Sequence, residues 1–166
     1  MSGAPFRVVP LCAEHARDRF NCGSEPLNRY FQQQVTQDVR RRVAACFVAL
    51  ASEQAVVGYY TLASASVLLT DLPASVRKKL PRYPTVPAVR MGRLAVDVAL
   101  HGQGLGAALL ADALARAGRA DIACYALIVD AKDTAAAAFY RHHGLLVLPD
   151  TPLTLFIPLA TVRGLA

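Results

Sequence analysis

The sequence predicts a mixed α/β domain, and three observations support that prediction. Short apolar runs alternate with amphipathic helical segments along the chain. A strand, a helix and a second strand follow one another over 88–131, with the length of a parallel β–α–β crossover. A chain of 166 residues that is 54% hydrophobic and 18% charged suits one compact domain over 1–166 and excludes a disordered one.

The first half of the chain predicts a strand at 6–11, a helix over 24–42 and a hairpin of strands at 44–51 and 55–69. Ser24 is the expected N-cap of that helix. An apolar stripe at i+4 spacing defines the buried face of the helix: Leu27, Phe31, Val35 and Val39.

The second half predicts a short basic helix, an extended linker and then strand, helix, strand, helix, strand and strand. These elements lie at 73–80, 81–87, 88–100, 104–119, 124–131, 133–143, 145–149 and 154–159. The linker follows from its prolines, because each residue before a proline is pushed out of the helical region. Gly144 is the expected left-handed cap of the helix before it.

Composition excludes several classes of protein. The four cysteines form no CxxC pair and no regular spacing with histidine, so neither a metal site nor a disulfide framework is expected. No apolar run approaches the roughly 18 residues of a membrane span, and the first residues show no secretory signal pattern. The sequence therefore predicts a cytoplasmic protein without metal or membrane contact.

The stretch "HGQGLGAALL", residues 101–110, places glycines between a strand and a helix, where a backbone has to approach an anion closely. A nucleoside triphosphate loop is excluded because no Lys–Ser/Thr pair follows the glycines. Gly102, Gly104 and Ala107 satisfy the dinucleotide pattern, but too few residues follow Asp130 for the further β–α units of that fold. The third alternative is the pyrophosphate of coenzyme A, held by successive backbone N–H groups.

"RLAVDVALHGQGLGAALLADAL" with "IVDAKDTAAAAFYRHHGL" resembles the core of the GNAT N-acetyltransferases, whose phosphate loop reads [QR]-x-x-G-x-[GA]. His101 departs from that pattern at its first position. The resemblance implies a central mixed, mostly antiparallel sheet of six to seven strands, flanked by helices and opened at the strand that binds acetyl-CoA. It implies these acetyl-CoA contacts: Leu94, Ala95, Val96, His101, Gly102, Gln103, Gly104, Leu105, Gly106, Ala107, Asp133 and Tyr140.

A narrower resemblance covers nearly the whole chain. "FNCGSEPLNRYF", "VVGYYTLASASV", "LPRYPTVPAVRMGRLAVD" and "FYRHHGL" are similar to the acetyltransferase toxins of toxin–antitoxin modules. This resemblance implies acetylation of the α-amine of aminoacyl-tRNA, a block of translation, a ribbon-helix-helix antitoxin and a homodimer. Two alternatives stay open: a GNAT enzyme for protein or small-molecule amines, and a nucleic-acid-binding protein without catalysis.

The resemblance implies that Tyr140 is the general acid that protonates the departing thiolate. A phenol with a pKa of about 10 stays protonated at neutral pH, and we expect Phe139 to fill the core and Tyr140 to line a cleft. The oxyanion donor is expected to be a backbone N–H at Ala95 or Val96. Asp133 stands where many GNAT enzymes carry an asparagine that holds pantetheine, and it also suits the N-cap of its helix.

Few carboxylates precede the glycine loop, and none stands in the context of a poised base. An α-amine, with a pKa of about 7.7–8.0, needs a base less than a lysine does, so the sequence favours an α-amine acceptor. Asp97 suits a cap of the turn after its strand.

Basic residues are concentrated upstream of the glycines. They predict an RNA-binding surface, or a docking site for an acidic antitoxin segment, formed by Arg77, Lys78, Lys79, Arg82, Arg90, Arg40, Arg41 and Arg42. Arg93, inside a central strand, is expected to pair internally.

Overall fold

The computed structural model describes residues 6–52 and 54–162. Its strands are β1 (Arg7–Pro10), β2 (Ala45–Ser52), β3 (Ala55–Leu68), β4 (Thr85–Val96), β5 (Ala126–Asp130), β6 (Leu146–Leu148) and β7 (Thr151–Pro158). Its α-helices are α1 (Glu25–Arg29), α2 (Val35–Arg40), α3 (Ala74–Arg77), α4 (Leu105–Arg119) and α5 (Thr134–His142). None of the described helices has the length and apolar character that crossing a membrane requires.

The strands form one seven-stranded sheet in the order β1-β2-β3-β4-β5-β7-β6. β4 and β5 are parallel, as the predicted crossover through α4 requires, whereas β1–β2, β2–β3, β5–β7 and β6–β7 are antiparallel. The expectation of a mixed, mostly antiparallel sheet of six to seven strands is therefore confirmed, with seven strands.

The chain divides into two compact units, and β3 and β4 run through both of them. The first unit contains the chain up to Ala63 together with Gly92–Ala113. Its core is aromatic: the ring of Phe31 stacks on Tyr59 at 4.3 Å between centroids, and Phe20 meets both rings edge-on. Such pairs stabilise a core beyond their area of contact.

The first predicted helix is interrupted. Tyr30–Gln34 between α1 and α2 form a π-helix, which inserts an extra residue into the turn. Val35, which follows the insertion, is fully buried like Phe31, whereas Val39 in the last turn of α2 is 37% exposed. Ser24 does occupy the N-cap position, but its side chain makes no capping hydrogen bond.

The second unit contains Ser64–Met91 and the chain from Leu114 onward. α3 is shorter than the predicted helix over 73–80, and β4 begins inside the predicted linker, at Thr85. Gly144, with φ of 96°, ends α5 in the left-handed conformation, as predicted. Five strands, together with Leu72, contribute buried residues to a hydrophobic core in this unit: Val67, Leu72, Val86, Ala88, Ala126, Ile128, Leu148 and Phe156.

Candidate functional site

The glycine loop lies between a single 3-10 turn, Val98–Leu100, and the first residue of α4. Gly102 and Gly104 have φ angles of 79° and 83°, in the left-handed region that side chains other than glycine adopt at a cost. No atom lies within 4 Å of the position that a Cβ would take at either residue. The loop therefore presents bare backbone to open space.

The backbone N–H groups of this loop have no acceptor. Among the described residues, none of the N–H groups from Gly102 to Ala107 donates a hydrogen bond, and the first bond of the helix runs from Ala108 N–H to Gly104 C=O at 3.1 Å. The positive end of the dipole of α4 lies at the same place. A row of free N–H groups at a helix N-terminus fits a pyrophosphate.

Two contacts hold α4 against the sheet in the first unit. A Cβ built on Gly58 would lie 2.9 Å from Leu109 Cδ1 and 3.2 Å from the Ala95 carbonyl oxygen, so a larger residue would require α4 or the strand to shift. Tyr60 donates its hydroxyl hydrogen to the Asp112 carboxylate at 2.5 Å. These contacts hold the start of α4, and with it the loop, in place against the strands.

The strand before the loop has backbone groups that point away from β3. β4 pairs with β5 only over Ala88–Met91, yet it continues to Val96. Asp97 N–H donates to Val57 C=O of β3 at 2.9 Å, and the peptide bond before it is trans, so the Val96 carbonyl points the opposite way. In an extended strand the N–H of a residue points to the same side as its carbonyl. Val96, rather than Ala95, therefore has the orientation that an oxyanion donor needs.

His101 is bonded to that strand. Its Nε2 lies 2.7 Å from the Val96 carbonyl oxygen, and since a carbonyl only accepts, Nε2 carries the proton. Its backbone N–H donates to Val98 C=O at 3.3 Å. The ring thus connects the phosphate loop to the strand edge, and only Nδ1 is left to face a ligand.

Three carboxylates of the first unit, those of Asp97, Asp38 and Glu14, accept hydrogen bonds. Asp97 accepts hydrogen bonds from the backbone N–H groups of Ala99 at 3.0 Å and Asn21 at 3.2 Å, which confirms its predicted role as a cap. A hydrogen bond from Tyr30 lowers the pKa of Asp38, and one from Cys12 lowers the pKa of Glu14. Neither group is poised as a base.

Tyr140 is buried, but its hydroxyl is accessible. The residue is 7% exposed, and burial raises its pKa to about 12. The hydroxyl makes no hydrogen bond with a described residue, and no fully buried side-chain oxygen in the described part of the chain lacks a partner. The oxygen must therefore lie at a surface that a ligand could reach. The expected order of burial was wrong, because Phe139, which packs edge-on against Tyr140, is only half-buried.

Asp133 caps α5. Its carboxylate accepts a hydrogen bond from Ala136 N–H at 2.8 Å, and its side chain is exposed. The predicted N-cap is confirmed, whereas a contact of Asp133 with pantetheine stays a prediction. Tyr140 follows two turns later on the same helix.

Comparison with known proteins identifies the family. Residues 9–145 match the acetyltransferase (GNAT) family, and the chain is 36% identical over 148 residues to the tRNA-acetylating toxin of Mycobacterium tuberculosis, covering 88% of this chain and 87% of that protein. The chain belongs to the GNAT acetyltransferase family. It is an acetyltransferase that uses acetyl-CoA, and the match includes the glycine loop and Tyr140.

Solved structures of GNAT toxins have the same fold as this acetyltransferase. The structure of AtaT complexed with acetyl-methionyl-tRNAfMet superposes with a TM-score of 0.86 at 32% identity, covering 92% of this chain and 94% of that one. A tyrosine-to-phenylalanine variant of AtaT, bound to the C-terminus of the antitoxin AtaR and acetyl-CoA, superposes with a TM-score of 0.80 at 27% identity, covering 95% of both chains.

In this acetyltransferase the predicted cofactor residues fall into two groups. Residues 94–96 and 101–107 lie together in the first unit, where the loop follows the strand through His101. Asp133 and Tyr140 share α5 in the second unit. The described residues contain no cluster of three or more metal-ligating side chains.

The predicted basic residues differ in whether their charged groups have ion-pair or hydrogen-bond partners. Lys78, Lys79 and Arg82 are exposed and have no ion-pair partner among the described residues. Arg77 donates to the backbone carbonyls of Thr70 and Leu72 in its own unit.

Arg90 forms an ion pair with Asp130, which also accepts a hydrogen bond from Thr154 at 3.0 Å. Arg90 therefore offers less charge to an RNA than the free lysines do. The run Arg40–Arg42 is exposed at the end of α2.

Sequence reasoning missed two features of the site. The Tyr60–Asp112 hydrogen bond that holds α4 joins residues 52 positions apart, and no local pattern indicates it. The guanidinium of Arg93 lies 3.5 Å from the centroid of the Tyr30 ring, so this arginine is internal, as expected, but its partner is a ring rather than a carboxylate.

Proposed function

We propose that this acetyltransferase transfers the acetyl group of acetyl-CoA to the α-amine of an aminoacyl-tRNA and so stops translation. The row of free N–H groups from Gly102 to Ala107 is the observation that supports acetyl-CoA as the donor. The 36% sequence identity to a tRNA-acetylating toxin, over 88% of the chain, supports aminoacyl-tRNA as the acceptor. The unpaired charges of Lys78, Lys79 and Arg82 suit a polyanionic acceptor.

Three parts of the chain have separate roles in the proposed reaction. The loop binds the pyrophosphate and so fixes the position of the thioester. Val96 N–H donates to the oxyanion that forms when the amine nitrogen attacks the thioester carbon. The Tyr140 hydroxyl gives its proton to the thiolate as the carbon–sulfur bond breaks, and the new amide nitrogen releases a proton to water.

The raised pKa of Tyr140 is compatible with the role of a proton donor. A phenol with a pKa of about 12 stays protonated throughout the physiological range. Proton transfer from this phenol to a thiolate, whose conjugate thiol has a reference pKa of about 8.5, would be uphill in water. Exclusion of water around the phenol also raises the pKa of a thiol beside it, so the difference between the two pKa values narrows.

The bonds made by Asp97, Asp38 and Glu14 favour an amine that is already neutral, because they leave none of these three carboxylates poised as a base. An α-amine with a pKa of about 7.7–8.0 is partly neutral at physiological pH, whereas a lysine with a pKa of about 10.4 is almost fully charged. Asp97 caps a turn, Asp38 accepts from Tyr30, and Glu14 accepts from Cys12. This favours an α-amine over a protein lysine.

We further propose that a ribbon-helix-helix antitoxin neutralises the enzyme and that the enzyme is a homodimer. The structure of an AtaT variant with the C-terminus of AtaR supports a peptide segment as the neutralising element. Size-exclusion chromatography with light scattering, with and without a candidate ribbon-helix-helix protein, tests both statements.

The decisive assay offers labelled acetyl-CoA with each of four acceptors: charged tRNA, uncharged tRNA, polyamines and bulk protein. We expect label on charged tRNA alone. Label on polyamines or protein, with none on charged tRNA, would instead establish the alternative of a small-amine or protein acetyltransferase.

The Tyr140→Phe variant provides the second arm of the assay. We expect it to retain acetyl-CoA binding and to lose about 100-fold or more in turnover, the range of general acid catalysis. A variant as toxic on expression as the wild type would refute the role of Tyr140, and growth arrest without any acetyl transfer would favour a binding protein.

A further inference from the structure

Tyr83 is an exposed aromatic side chain without a partner. It is 68% exposed, the largest exposure of any aromatic residue in the described chain. Its ring contacts no other ring or cation, and its hydroxyl makes no hydrogen bond with a described residue. The face of the ring is therefore open to a planar ligand.

The segment that carries Tyr83 is held at both ends. Leu80 packs against the core of the second unit, and the Pro84 carbonyl accepts a hydrogen bond from Leu69 N–H at 3.0 Å. Pro81 and Pro84 fix their own φ angles on either side of the ring. A ligand would therefore meet a ring whose backbone is already ordered, at a small entropic cost.

Free positive charges lie within five residues of Tyr83 along the chain. Arg82 precedes Tyr83 directly, and Lys78 and Lys79 end the turn of α3 before it. None of the three has a carboxylate partner among the described residues. Cations beside an exposed aromatic ring suit a nucleotide, whose phosphate binds the cations while its base stacks on the ring.

The base that stacks must be unpaired. Bases inside a duplex have both faces covered, so aromatic side chains take up bases from single-stranded ends and loops. The part of an aminoacyl-tRNA that carries the reacting amine is its single-stranded 3′ end. From these observations we infer that Tyr83 is the platform on which an unpaired base of the 3′ end of the tRNA stacks, while Lys78, Lys79 and Arg82 hold the adjoining phosphates. This inference rests on the proposed function and names how its acceptor is bound.

The test combines two changes, one in the protein and one in the RNA. Binding of uncharged tRNA is measured for the wild type, Tyr83→Ala and Tyr83→Phe, with intact tRNA and with tRNA whose unpaired 3′ nucleotides have been removed. We expect Tyr83→Ala to weaken binding of intact tRNA by about 10- to 100-fold, the range of one base–aromatic stack. Tyr83→Phe should stay within about threefold, because it keeps the ring.

Removal of the 3′ nucleotides should erase the difference between Tyr83→Ala and the wild type. The salt dependence of binding should be unchanged in Tyr83→Ala, since no ionic contact is lost. Equal binding of intact tRNA by Tyr83→Ala and the wild type, or an equal loss with trimmed and intact tRNA, would overturn the inference. A Tyr83→Ala protein that binds tRNA normally but escapes its antitoxin would assign the ring to a protein partner instead.

Failure of the inference can be told apart from failure of the proposed function. Acetylation of charged tRNA by the wild type tests the function alone, whereas the binding measurements need no turnover. Acetyl-CoA binding and the midpoint of thermal unfolding should be the same in all three proteins, because Tyr83 is 68% exposed and its ring makes no ring or cation contact with a described residue.

Discussion

A single methyl group in the phosphate loop would separate the binding of acetyl-CoA from the folding of the protein. Gly104 has a φ of 83°, and the space at its Cβ position is empty. Gly104→Ala therefore meets no steric clash within the protein, but it forces alanine into the left-handed region. It also places a methyl group beside the N–H groups that bind the pyrophosphate.

The two consequences have different magnitudes. A left-handed alanine costs about 1–2 kcal/mol, which lowers the unfolding midpoint of a domain of this size by about 2–8 °C. A hydrogen bond to a charged group contributes about 1.5–3 kcal/mol. Loss of one N–H contact to the pyrophosphate should therefore weaken acetyl-CoA binding by about 10- to 150-fold.

Gly144→Ala is the matched control. Gly144 has a φ of 96°, and its added Cβ would meet only Ile157 Cδ1 at 3.8 Å, an ordinary contact. This variant should lose similar stability and keep its affinity for acetyl-CoA. The assay is calorimetric titration of each variant with acetyl-CoA, with thermal unfolding measured in parallel.

Acetyl-pantetheine, which lacks the pyrophosphate, sharpens the comparison. Gly104→Ala and the wild type should use it with equal kcat/KM, because the altered contact is to a group that this donor lacks. Equal acetyl-CoA affinities for Gly104→Ala and the wild type would refute the assignment of the loop. An equal loss of activity with both donors would show that the methyl group disturbs the catalytic strand rather than the phosphates.

Three further outcomes follow from the structure. Burial raises the pKa of Tyr140 to about 12, so the stability of the folded state is unaffected by this group below pH 10 and falls as the pH rises towards 12. Tyr140→Phe should reduce that alkaline loss of unfolding free energy by about 2–3 kcal/mol, measured by denaturant titration at pH 9 and pH 12. Equal losses in the variant and the wild type would contradict this expectation. Lys78→Glu combined with Lys79→Glu should weaken tRNA binding and flatten its salt dependence, and an unchanged slope in filter binding would place the RNA elsewhere. Arg93→Met should lower the free energy of unfolding by about 1–2 kcal/mol through loss of the contact with the Tyr30 ring, whereas no change in urea denaturation would mean that this contact is not stabilising.

Local pattern predicted most of the elements. The order of strands and helices, the crossover through α4 and the left-handed cap at Gly144 all follow from periodicity and from glycine chemistry. The interruption of the first helix at Tyr30–Gln34 could not be predicted, because a π-turn is a marginal local conformation that packing selects. The partial exposure of Val39 near the end of α2 was also missed.

Some features of the candidate site could likewise be predicted from the sequence, and others could not. Spacing and residue type indicated the glycine loop and Asp97 as a cap, since both depend on interactions a few residues apart. The direction of the Val96 carbonyl, the bond from His101 to it and the accessible hydroxyl of Tyr140 depend on how the strands are paired.

The sequence by itself predicted a glycine loop whose backbone N–H groups face a ligand, because glycines that precede a helix act through backbone geometry alone. It also determined, through the matched motifs, that the chain is a GNAT acetyltransferase. Only the tertiary structure decided that His101 bonds to the strand and that Tyr83 is exposed beside free charges. Those features depend on which surfaces folding leaves uncovered, and a one-dimensional pattern does not specify that.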